Sequence, residues 1–489
     1  MLSSIEDSPL HLIANPKSMA FFGASNNIVS MGTNQLLSLL SLGYEGRVYP
    51  VHPKEEKVQG LKAYRSVLDL PEVPDVAMMV LPTQVVNPTL EECGRKGIKR
   101  AIIVSGGFKE VGGDGAALEQ EMVRIAARYG LRILGPNGLG VANPYRKLNT
   151  TFIPHEGQPG FIGLASQSGS FVTQMFNYLA NLGLGFSTAL SVGNEANIDL
   201  VDALEYLGAC PHTKVIAMYI EGLKRGRAFL EVARKVTRRK PVVVLYIGGS
   251  EAGRRAGLSH TGSLAGPDDL YGGVFRQSGV IRAESVTELF DFCWALGALP
   301  APRGNRVIIQ THSGGPGAAA ADACGRAGLQ LPALADETRS RLAPYLPHTG
   351  SCQNPVDLTF TKNPGDFYSR IPKVLLADPG ADMLLVYFFT PEPVLRRGLS
   401  QMGVPPEKLD EEATKVLDLS CRAVLKTIKE QDKPVIGYTW RSLEESFSRK
   451  LTEGGVPLYP EAERAARAMS ALVRYHAYRV KMAESKIQV

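Results

Sequence analysis

Three stretches of this chain share one pattern, in which a short apolar run ends in small polar residues and a helical segment follows. The runs cover residues 19–22, 161–165 and 306–310. After each of them, further apolar runs of strand length alternate with segments of amphipathic helical spacing. Such alternation is typical of parallel sheets covered by helices on both faces, which bind ligands beyond the carboxyl ends of their strands. The sequence therefore predicts an α/β fold built from parallel-sheet domains.

The second and third of these units form a diverged internal repeat. Each contains a later apolar strand, at residues 215–220 and 383–389, and then a strand that opens with a Lys-Pro pair at Lys240 or Lys433. The proline-containing stretch 300–304 between them is typical of a linker. We therefore expect three domains, at residues 1–145, 146–300 and 301–489.

Composition disfavours several classes of function. The 489 residues carry a net charge of +6, but lysine and arginine form no basic block interleaved with aromatic residues, so we expect no nucleic-acid binding. We expect no membrane association, because the chain has neither a signal peptide nor an apolar run long enough to cross a bilayer. Six widely spaced cysteines indicate reduced thiols in a cytoplasmic protein. No HExxH or paired-histidine spacing is found, so no metal site is expected.

A single histidine, His260, lies in a loop of small residues at positions 253–266, which follows the apolar strand 241–246. Small residues let backbone and ligand approach the imidazole closely. A neutral imidazole among backbone amides can attack phosphorus and hold a phosphoryl group. The alternative interpretation is a surface turn whose histidine takes no part in chemistry.

Two turns have the composition that holds phosphate at a helix N-terminus, where unpaired amides and the helix dipole favour an anion. Many helices begin with serine and glycine, so either turn alone is weak support. Two related copies in one chain with the His260 loop are stronger support, and we expect a phosphohistidine to sit between two such helix starts. The candidate phosphate ligands are Ser166, Gln167, Ser168, Gly169, Ser170, Ser313, Gly314, Gly315 and Gly317.

Glu221 is the acid that could orient the imidazole of His260. It follows the apolar strand 215–220, and a carboxylate bonded to one ring nitrogen leaves the other nitrogen nucleophilic. Alternatively, Glu221 is a loop residue paired with Lys224 or Arg225. His312 also lies in a glycine-rich turn and competes as phosphoryl carrier. We rank it second because Phe389 and Thr390 stand where its own unit would need a strand-end acid.

The loop after the first strand begins Gly23-Ala24-Ser25-Asn26 rather than GxGxxG, so a dinucleotide cofactor is not expected. A serine- and asparagine-containing loop at a helix start still suits a phosphate group.

Residues 259–266 resemble the phosphohistidine loop of NDP-forming acyl-CoA synthetases, a family that includes ADP-forming acetyl-CoA synthetase and, more distantly, succinyl-CoA synthetase. The resemblance extends from about residue 10 to residue 475, and several ordered motifs together make it specific. Those motifs are residues 23–25, 48–54, 135–138, 166–169, 193–195, 219–222, 314–317 and 354–357.

The resemblance implies a Rossmann-like CoA-binding domain followed by two flavodoxin-like ligase domains. It implies that His260 is phosphorylated, that Glu221 is its supporting acid, and that the helices after both turns point at the phosphate. Acyl-CoA and phosphate would give acyl phosphate and CoA, and His260 would pass the phosphoryl group to ADP. The residues expected to bind CoA are Gly23, Ser25, Asn26, Gly32, Lys54, Pro82 and Asn137.

Two departures from the family pattern shape these expectations. Residues 25–32 lack the usual basic residue and Pro-Gly pair. We expect Lys54 to pair with a CoA phosphate, but its position is equally typical of a solvated lysine in a turn. No GxxxxGK[ST] motif and no ATP-grasp domain follow the third unit. We therefore expect an alpha subunit in a hetero-oligomer, with Mg²⁺ and ADP or ATP held by an ATP-grasp beta subunit.

The alternative function is that of a non-catalytic module that binds CoA or acyl-CoA. The sequence does not identify the small carboxylic acid.

Overall fold

The computed structural model describes residues 4–154, 158–253, 266–359, 363–390 and 392–484. Its contacts divide the chain into two compact units, Met1–Leu289 and Phe290–Val489. The described part of the first unit contains a five-stranded sheet, a seven-stranded sheet and a two-stranded hairpin, and that of the second unit contains a five-stranded sheet.

The first sheet consists of five parallel strands in the order β2-β1-β5-β6-β7. Its strands are β1 (Ser18–Phe22), β2 (Arg47–Val51), β5 (Val76–Met79), β6 (Arg100–Ile103) and β7 (Arg132–Leu134), and a small hairpin of β3 (Lys57–Val58) and β4 (Leu61–Lys62) follows β2. The helices of this part are His11–Ala14, Met31–Ser41, Thr83–Lys96 and Gly113–Tyr129.

The second sheet has seven strands in the order β14-β13-β12-β10-β11-β8-β9. They are β8 (Gly140–Asn143), β9 (Leu148–Asn149), β10 (Ile162–Ser166), β11 (Phe186–Ser191), β12 (Val215–Ile220), β13 (Val242–Tyr246) and β14 (Ile281–Ala283). The strands β10 to β14 are parallel, whereas β8 runs antiparallel to β11. The helices are Gly169–Ala180, Leu200–Ala209, Gly226–Thr237 and Asp268–Ser278. The helix Val286–Ala298 spans the division between the units.

The second unit has five parallel strands in the order β16-β15-β17-β18-β19. They are β15 (Val307–Thr311), β16 (Val356–Asp357), β17 (Met383–Tyr387), β18 (Val435–Tyr438) and β19 (Leu458–Tyr459). The helices are Gly314–Arg326, Asp336–Leu342, Pro364–Tyr368, Arg370–Leu376, Glu392–Gln401, Leu409–Lys429, Ser446–Glu453 and Ala462–Glu484.

All three sheets share one topology when only their parallel strands are counted. In each, the first strand lies between the second and the third, and the fourth and fifth follow outward. This doubly wound order confirms the predicted α/β class and brings the carboxyl ends of the strands to one edge of each sheet. The central strands are buried throughout, because helices cover both faces.

The division at residues 1–145, 146–300 and 301–489 stays a prediction. The strand β8 lies before position 145 yet pairs with β11 of the second sheet. One cluster of buried apolar side chains also runs from the first sheet into the second. Among the described residues, no helix is both long enough and apolar enough to cross a membrane.

Candidate active site

His260 lies outside the described residues, but both ends of its loop are placed. The chain that leaves β13 is bonded to the end of β12, where the Ile247 N–H donates to the carbonyl oxygen of Ile220 at 2.8 Å. Where the description resumes, the Tyr246 hydroxyl donates to the carbonyl oxygen of Gly266 at 2.9 Å. The loop therefore leaves and returns at the carboxyl end of β13, next to the residue that precedes Glu221.

Glu221 directly follows β12 and is buried, with 9% of its surface exposed. Its backbone is held by the side chain of Gln167, whose Oε1 accepts from the N–H groups of Glu221 at 2.6 Å and Gly222 at 3.1 Å. The sequence placed Glu221 at a strand end, and that placement is confirmed. Its role as supporting acid stays a prediction.

The alternative partners considered for Glu221 make other bonds. Lys224 Nζ donates to the backbone oxygens of Asn194 at 2.8 Å and Glu195 at 2.6 Å. Arg225 donates two hydrogen bonds to the Asp199 carboxylate. Both cations thus bind the segment that follows β11.

A buried polar cluster that the sequence analysis did not assign lies beside Glu221. Asn194 and Glu195 are only 3% and 4% exposed, and the Asn194 side chain donates to Glu119 at 2.9 Å and to Glu110 at 2.5 Å. Lys109 Nζ donates to the carbonyl oxygen of Asn194 at 2.5 Å. The motif of residues 193–195 marks part of this cluster in the sequence. The residues that bond to Asn194 lie up to 85 positions away in the chain, so the sequence pattern did not identify them.

Burial changes the pKa values of two groups in this cluster. It raises the pKa of Glu195 to about 7, although bonds to Leu200 N and Gln167 oppose the shift. Burial, and then the ammonium group of Lys224, lower the pKa of Lys109 to about 8. Each of these two groups therefore changes its protonation state near neutral pH.

The turn after β10 begins the helix Gly169–Ala180. Ser166 is fully buried, and its hydroxyl donates to the carbonyl oxygen of Ser168 at 2.7 Å, so it holds the turn. Ser168 is the N-cap residue, whose oxygen accepts from Phe171 N at 3.4 Å, and Ser170 is exposed. Helix starts of this kind suit an anion. The phosphate-binding roles of Ser166, Gln167, Ser168, Gly169 and Ser170 stay predictions.

The turn after β15 begins the helix Gly314–Arg326, with Ser313, Gly314 and Gly315 exposed at its start. Gly317 packs inward, where an added Cβ would lie 2.9 Å from the Thr311 methyl group. These four predicted phosphate ligands thus divide into three accessible residues and one packing residue.

One step of the sequence reasoning about this turn was wrong. We expected no strand-end acid in this unit, yet Asp357 ends β16 and lies opposite Thr311. Its Oδ2 atom would lie 3.5 Å from a Cβ added at Gly314, so a carboxylate already faces this helix start. The very short strand β16 carries little apolar signal, which is why the sequence pattern missed it.

His312 is stacked on Phe367, with ring centroids 3.5 Å apart and planes inclined by 13°. Its Nε2 atom is buried without a hydrogen-bond partner among the described residues. Burial lowers the pKa of His312 to about 4, so its imidazole is neutral at pH 7.

At the carboxyl edge of the first sheet, the loop after β1 folds tightly onto neighbouring backbone. Gly23 has φ +93°, and an added Cβ there would overlap the carbonyl oxygen of Val80. A Cβ at Gly32 would overlap the carbonyl oxygen of Gly23, so the helix Met31–Ser41 starts against the loop itself. A helix that starts against a tightly folded glycine-containing loop is an arrangement that suits a phosphate group.

The side chains of this loop are largely bonded to protein. Ser25 donates its N–H to Thr33 Oγ1 at 3.0 Å, and Asn26 bonds to Glu55, to the Lys57 carbonyl oxygen and to Gln59 N. Asn26 thus ties the loop to the β3–β4 hairpin. The carboxylate of Glu55 beside it disfavours a phosphate at that point.

Three further candidates lie at or near the same edge. Lys54 is exposed in the turn after β2, and Pro82 is exposed as the N-cap residue of the helix Thr83–Lys96. Asn137 follows β7 and bonds through Nδ2 to Asn194 Oδ1 at 3.3 Å, which connects it to the cluster beside Glu221. The carboxyl edge therefore brings the predicted CoA residues together by topology, although their roles stay predictions.

Three family models match successive parts of the chain. A CoA-binding domain matches residues 17–144, a flavodoxin domain like that of succinyl-CoA ligase matches residues 159–296, and a ligase-CoA domain matches residues 307–400. The alpha subunit of the ADP-forming acetate–CoA ligase II from Pyrococcus furiosus is 39% identical, with 94% of this chain and 96% of that protein covered. The chain belongs to the ADP-forming acyl-CoA synthetases.

Members of the family differ in length and named substrate. The ADP-forming 4-hydroxybutyrate–CoA ligase from Nitrosopumilus maritimus is 36% identical to this synthetase. The match covers 98% of this chain but 66% of that longer relative. A solved acetyl-coenzyme A synthetase 1 from Candidatus Korarchaeum cryptofilum, in complex with phosphate and ADP, has a TM-score of 0.85 and 34% identity and covers 97% of this chain and 98% of its own. These synthetases are acid–thiol ligases, and the predicted enzyme class is confirmed.

Proposed function

We propose that this chain carries out the CoA-dependent and phosphoryl-transfer steps of an ADP-forming acyl-CoA synthetase. The overall reaction interconverts acyl-CoA, phosphate and ADP with a carboxylic acid, CoA and ATP. The observation that carries the proposal is the buried carboxylate of Glu221, which follows β12 beside the point where the His260 loop departs. An acid in that place can orient an imidazole.

Three displacements complete this reaction, and none requires a redox change. A phosphate oxygen attacks the thioester carbonyl carbon, the C–S bond breaks, and CoA leaves as a thiolate that takes up a proton. A ring nitrogen of His260 attacks phosphorus in the acyl phosphate, the bond to the acyl oxygen breaks, and the carboxylate leaves. A terminal phosphate oxygen of ADP then takes the phosphoryl group from nitrogen.

In this mechanism, Glu221 accepts a hydrogen bond from the second ring nitrogen of His260. This bond fixes the tautomer and stabilises the cationic ring that forms when the first nitrogen bonds to phosphorus. The start of the helix Gly169–Ala180 supplies backbone N–H groups toward the phosphate, with Ser168 and Ser170 as nearby hydroxyl groups. In the second unit, Ser313, Gly314 and Gly315 provide the corresponding helix start.

CoA binds at the carboxyl edge of the first sheet in this proposal. Gly23 and Gly32 shape the loop after β1, the loop from Ser25 to Gly32 receives a phosphate, and Lys54 supplies the positive charge. The match of residues 17–144 to a CoA-binding domain supports this placement. In the same proposal, Pro82, at the start of the helix Thr83–Lys96, and Asn137, which follows β7, contact the ligand between strand ends.

We further infer that ADP binds to a separate ATP-grasp subunit, where Mg²⁺ would neutralise the charge of the nucleotide phosphates. The match to a relative described as a subunit alpha, over nearly the whole length of both chains, supports a two-subunit enzyme. The 4-hydroxybutyrate relative, which is not described as a subunit, is matched over only 66% of its length.

Radiolabelled phosphate tests this function without the partner. The full chain is incubated with ³²P-phosphate and thioesters of acetate, 4-hydroxybutyrate, a branched acid and an aromatic acid. At least one thioester should produce an acid-labile, base-stable label on the chain, and ADP with an ATP-grasp subunit should then remove it. A chain that binds CoA but takes no label from any thioester would instead be a non-catalytic CoA-binding module, and the proposal would fail.

A further inference from the structure

Gln167 has its complete hydrogen-bonding capacity engaged at the carboxyl edge of the second sheet. Its Oε1 accepts from Glu221 N at 2.6 Å and from Gly222 N at 3.1 Å. Its Nε2 donates to the carbonyl oxygen of Gly222 at 2.9 Å and to Glu195 Oε2 at 3.1 Å. A glutamine amide offers two acceptor sites and two donors, so these four bonds use all of them.

The sheet order explains why one side chain reaches all these partners. The strand β10 lies between β12 and β11, and Gln167 is the first residue after β10. Its side chain therefore bonds to the segment after β12 on one side and to the segment after β11 on the other. Three strand ends are joined by a single amide.

We propose that Gln167 is the positioning residue for Glu221, and that Glu195 fixes the orientation of the Gln167 amide. This inference rests on the function proposed above, because it concerns the acid assigned to His260. In this role Gln167 acts through the backbone of Glu221 and not by contact with the phosphate.

The orientation of the Gln167 amide follows from its surroundings. If the amide were rotated by 180°, its NH₂ group would face two N–H donors, and its oxygen would face the Gly222 carbonyl oxygen and the Glu195 carboxylate. Glu195 is itself anchored, because its Oε1 accepts from Leu200 N at 2.9 Å. A buried carboxylate in a fixed place thus selects one amide orientation.

A second connection closes the network. Lys224 follows Glu221 by three residues and donates to the carbonyl oxygens of Asn194 and Glu195. The segment after β12 is therefore bonded to the segment after β11 both through Gln167 and through Lys224. Loss of Gln167 leaves the Lys224 connection in place, so we expect the loop to shift rather than unfold.

Four variants test the proposal in the full chain. Gln167→Met removes all four bonds at similar volume. Gln167→Glu keeps an acceptor for the two N–H groups but sets an oxygen against both Glu195 and the Gly222 carbonyl oxygen. The double variant Gln167→Glu/Glu195→Gln restores the contact with residue 195, with donor and acceptor exchanged, and leaves the contact with Gly222 unrestored. Asn87→Leu is the matched control, since Asn87 carries a buried amide in the helix Thr83–Lys96 that donates to the Leu118 carbonyl oxygen.

Three measurements separate positioning from general stability. Hydrogen exchange of residues 219–224 reports whether the Glu221 and Gly222 amides are still protected. Labelling by ³²P-phosphate and a CoA thioester reports phosphoryl transfer, and calorimetry with CoA reports binding.

In Gln167→Met we expect hydrogen exchange about 10-fold faster and labelling about 10- to 100-fold slower, at unchanged CoA affinity. In Gln167→Glu labelling should be equally slow, and the double variant should recover about 10-fold of it. Asn87→Leu should change none of these by more than about threefold.

The inference and the proposed function can fail separately. If the wild type is labelled and Glu221→Gln is slow, but Gln167→Met labels at the wild-type rate, Gln167 is not a positioning residue. Absence of recovery in the double variant would remove Glu195 from the argument. If the wild type takes no label, the proposed function fails. In that case, unchanged protection of residues 219–224 in Gln167→Met would also overturn the positioning inference.

Discussion

The turns that follow β10 and β15 share a backbone design but differ in their functional side chains. In the first, the Ser166 hydroxyl donates to the carbonyl oxygen two residues ahead at 2.7 Å, and in the second the Thr311 hydroxyl does the same at 2.9 Å. A helix then begins at Gly169 or Gly314, and both sheets have the same strand order. The predicted internal repeat thus extends to individual hydrogen bonds.

The residue after each strand shows where the copies diverge. Gln167 faces the polar segment at Glu221, whereas His312, in the same place of its turn, stacks on Phe367. The register of β17 with β15 places Phe389 where β12 has Glu221. Phe389 is 39% exposed, while Glu221 is buried. At this strand-end position the shared fold therefore carries a buried acid in one copy and a partly exposed aromatic ring in the other.

The largest effect should come from comparing the two histidines. We expect His260→Ala to abolish ³²P labelling and to lower turnover by more than about 1,000-fold, because the nucleophile is lost. His312→Gln should retain labelling within about threefold, since the His312 ring is neutral and stacked on Phe367. Loss of label in His312→Gln, with label retained in His260→Ala, would reverse the assignment of the two copies.

The strand-end residues should give the next largest difference. Glu221→Gln should slow phosphoryl transfer by about 10- to 100-fold, because a neutral amide stabilises the cationic ring less. CoA affinity should be unchanged. Phe389→Leu, at the corresponding position of the other copy, should change labelling by less than about threefold. Measuring both rates with one thioester checks the comparison, and equal rates for Glu221→Gln and wild type would remove the acid from the mechanism.

The sequence predicted the fold well because its signals are local. Apolar runs that end in serine and glycine correctly identified the central strands. The pairing of β8 with β11 was not predicted, since a four-residue strand does not indicate which sheet it joins.

The site was only partly predictable, for a similar reason. Glu221 could be found because a charge directly after a buried strand marks the carboxyl edge of a sheet. Glu195 was part of a noted motif, yet its contact with Gln167 spans 28 positions, and only the strand order brings the two together. The pattern also gave no sign that Ser166 is buried or that its hydroxyl bonds across the turn.

A pH-dependent effect on stability should come from Glu195. Burial raises the pKa of Glu195 to about 7, against about 4.3 in an unfolded chain. Between these values the folded state binds more protons than the unfolded state, so the contribution of Glu195 to stability falls as pH rises and levels off above pH 7. Urea unfolding of wild type and Glu195→Gln at pH 5 to 8 checks this. The stability of the wild type relative to the variant should decrease across that window, and a constant difference would contradict the raised pKa.

The smallest expected effect concerns what the two copies have in common. Lys240 Nζ donates to the carbonyl oxygens of Leu207 and Cys210 at the end of one helix, at 3.3 and 2.5 Å. Lys433 Nζ donates to those of Leu376 and Asp378 at 2.6 and 3.2 Å. Both lysines are half-buried, and burial lowers both pKa values. The Lys-Pro pairs of the repeat thus cap helix C-termini, where a cation offsets the helix dipole and satisfies free carbonyl groups.

Because the two lysines do the same work, their removal should have the same consequence. We expect Lys240→Met and Lys433→Met each to lower the free energy of unfolding by about 1–2 kcal/mol, since methionine keeps most of the apolar stem and loses the hydrogen bonds. Lys235→Met is the control, because this lysine is exposed, and its effect should stay within about 0.5 kcal/mol. Urea unfolding followed by circular dichroism measures all three variants. A large loss of unfolding free energy in one capping variant and none in the other would show that the shared Lys-Pro pair is a coincidence of sequence. The structural equivalence of the two copies would then rest on the turns after β10 and β15 alone.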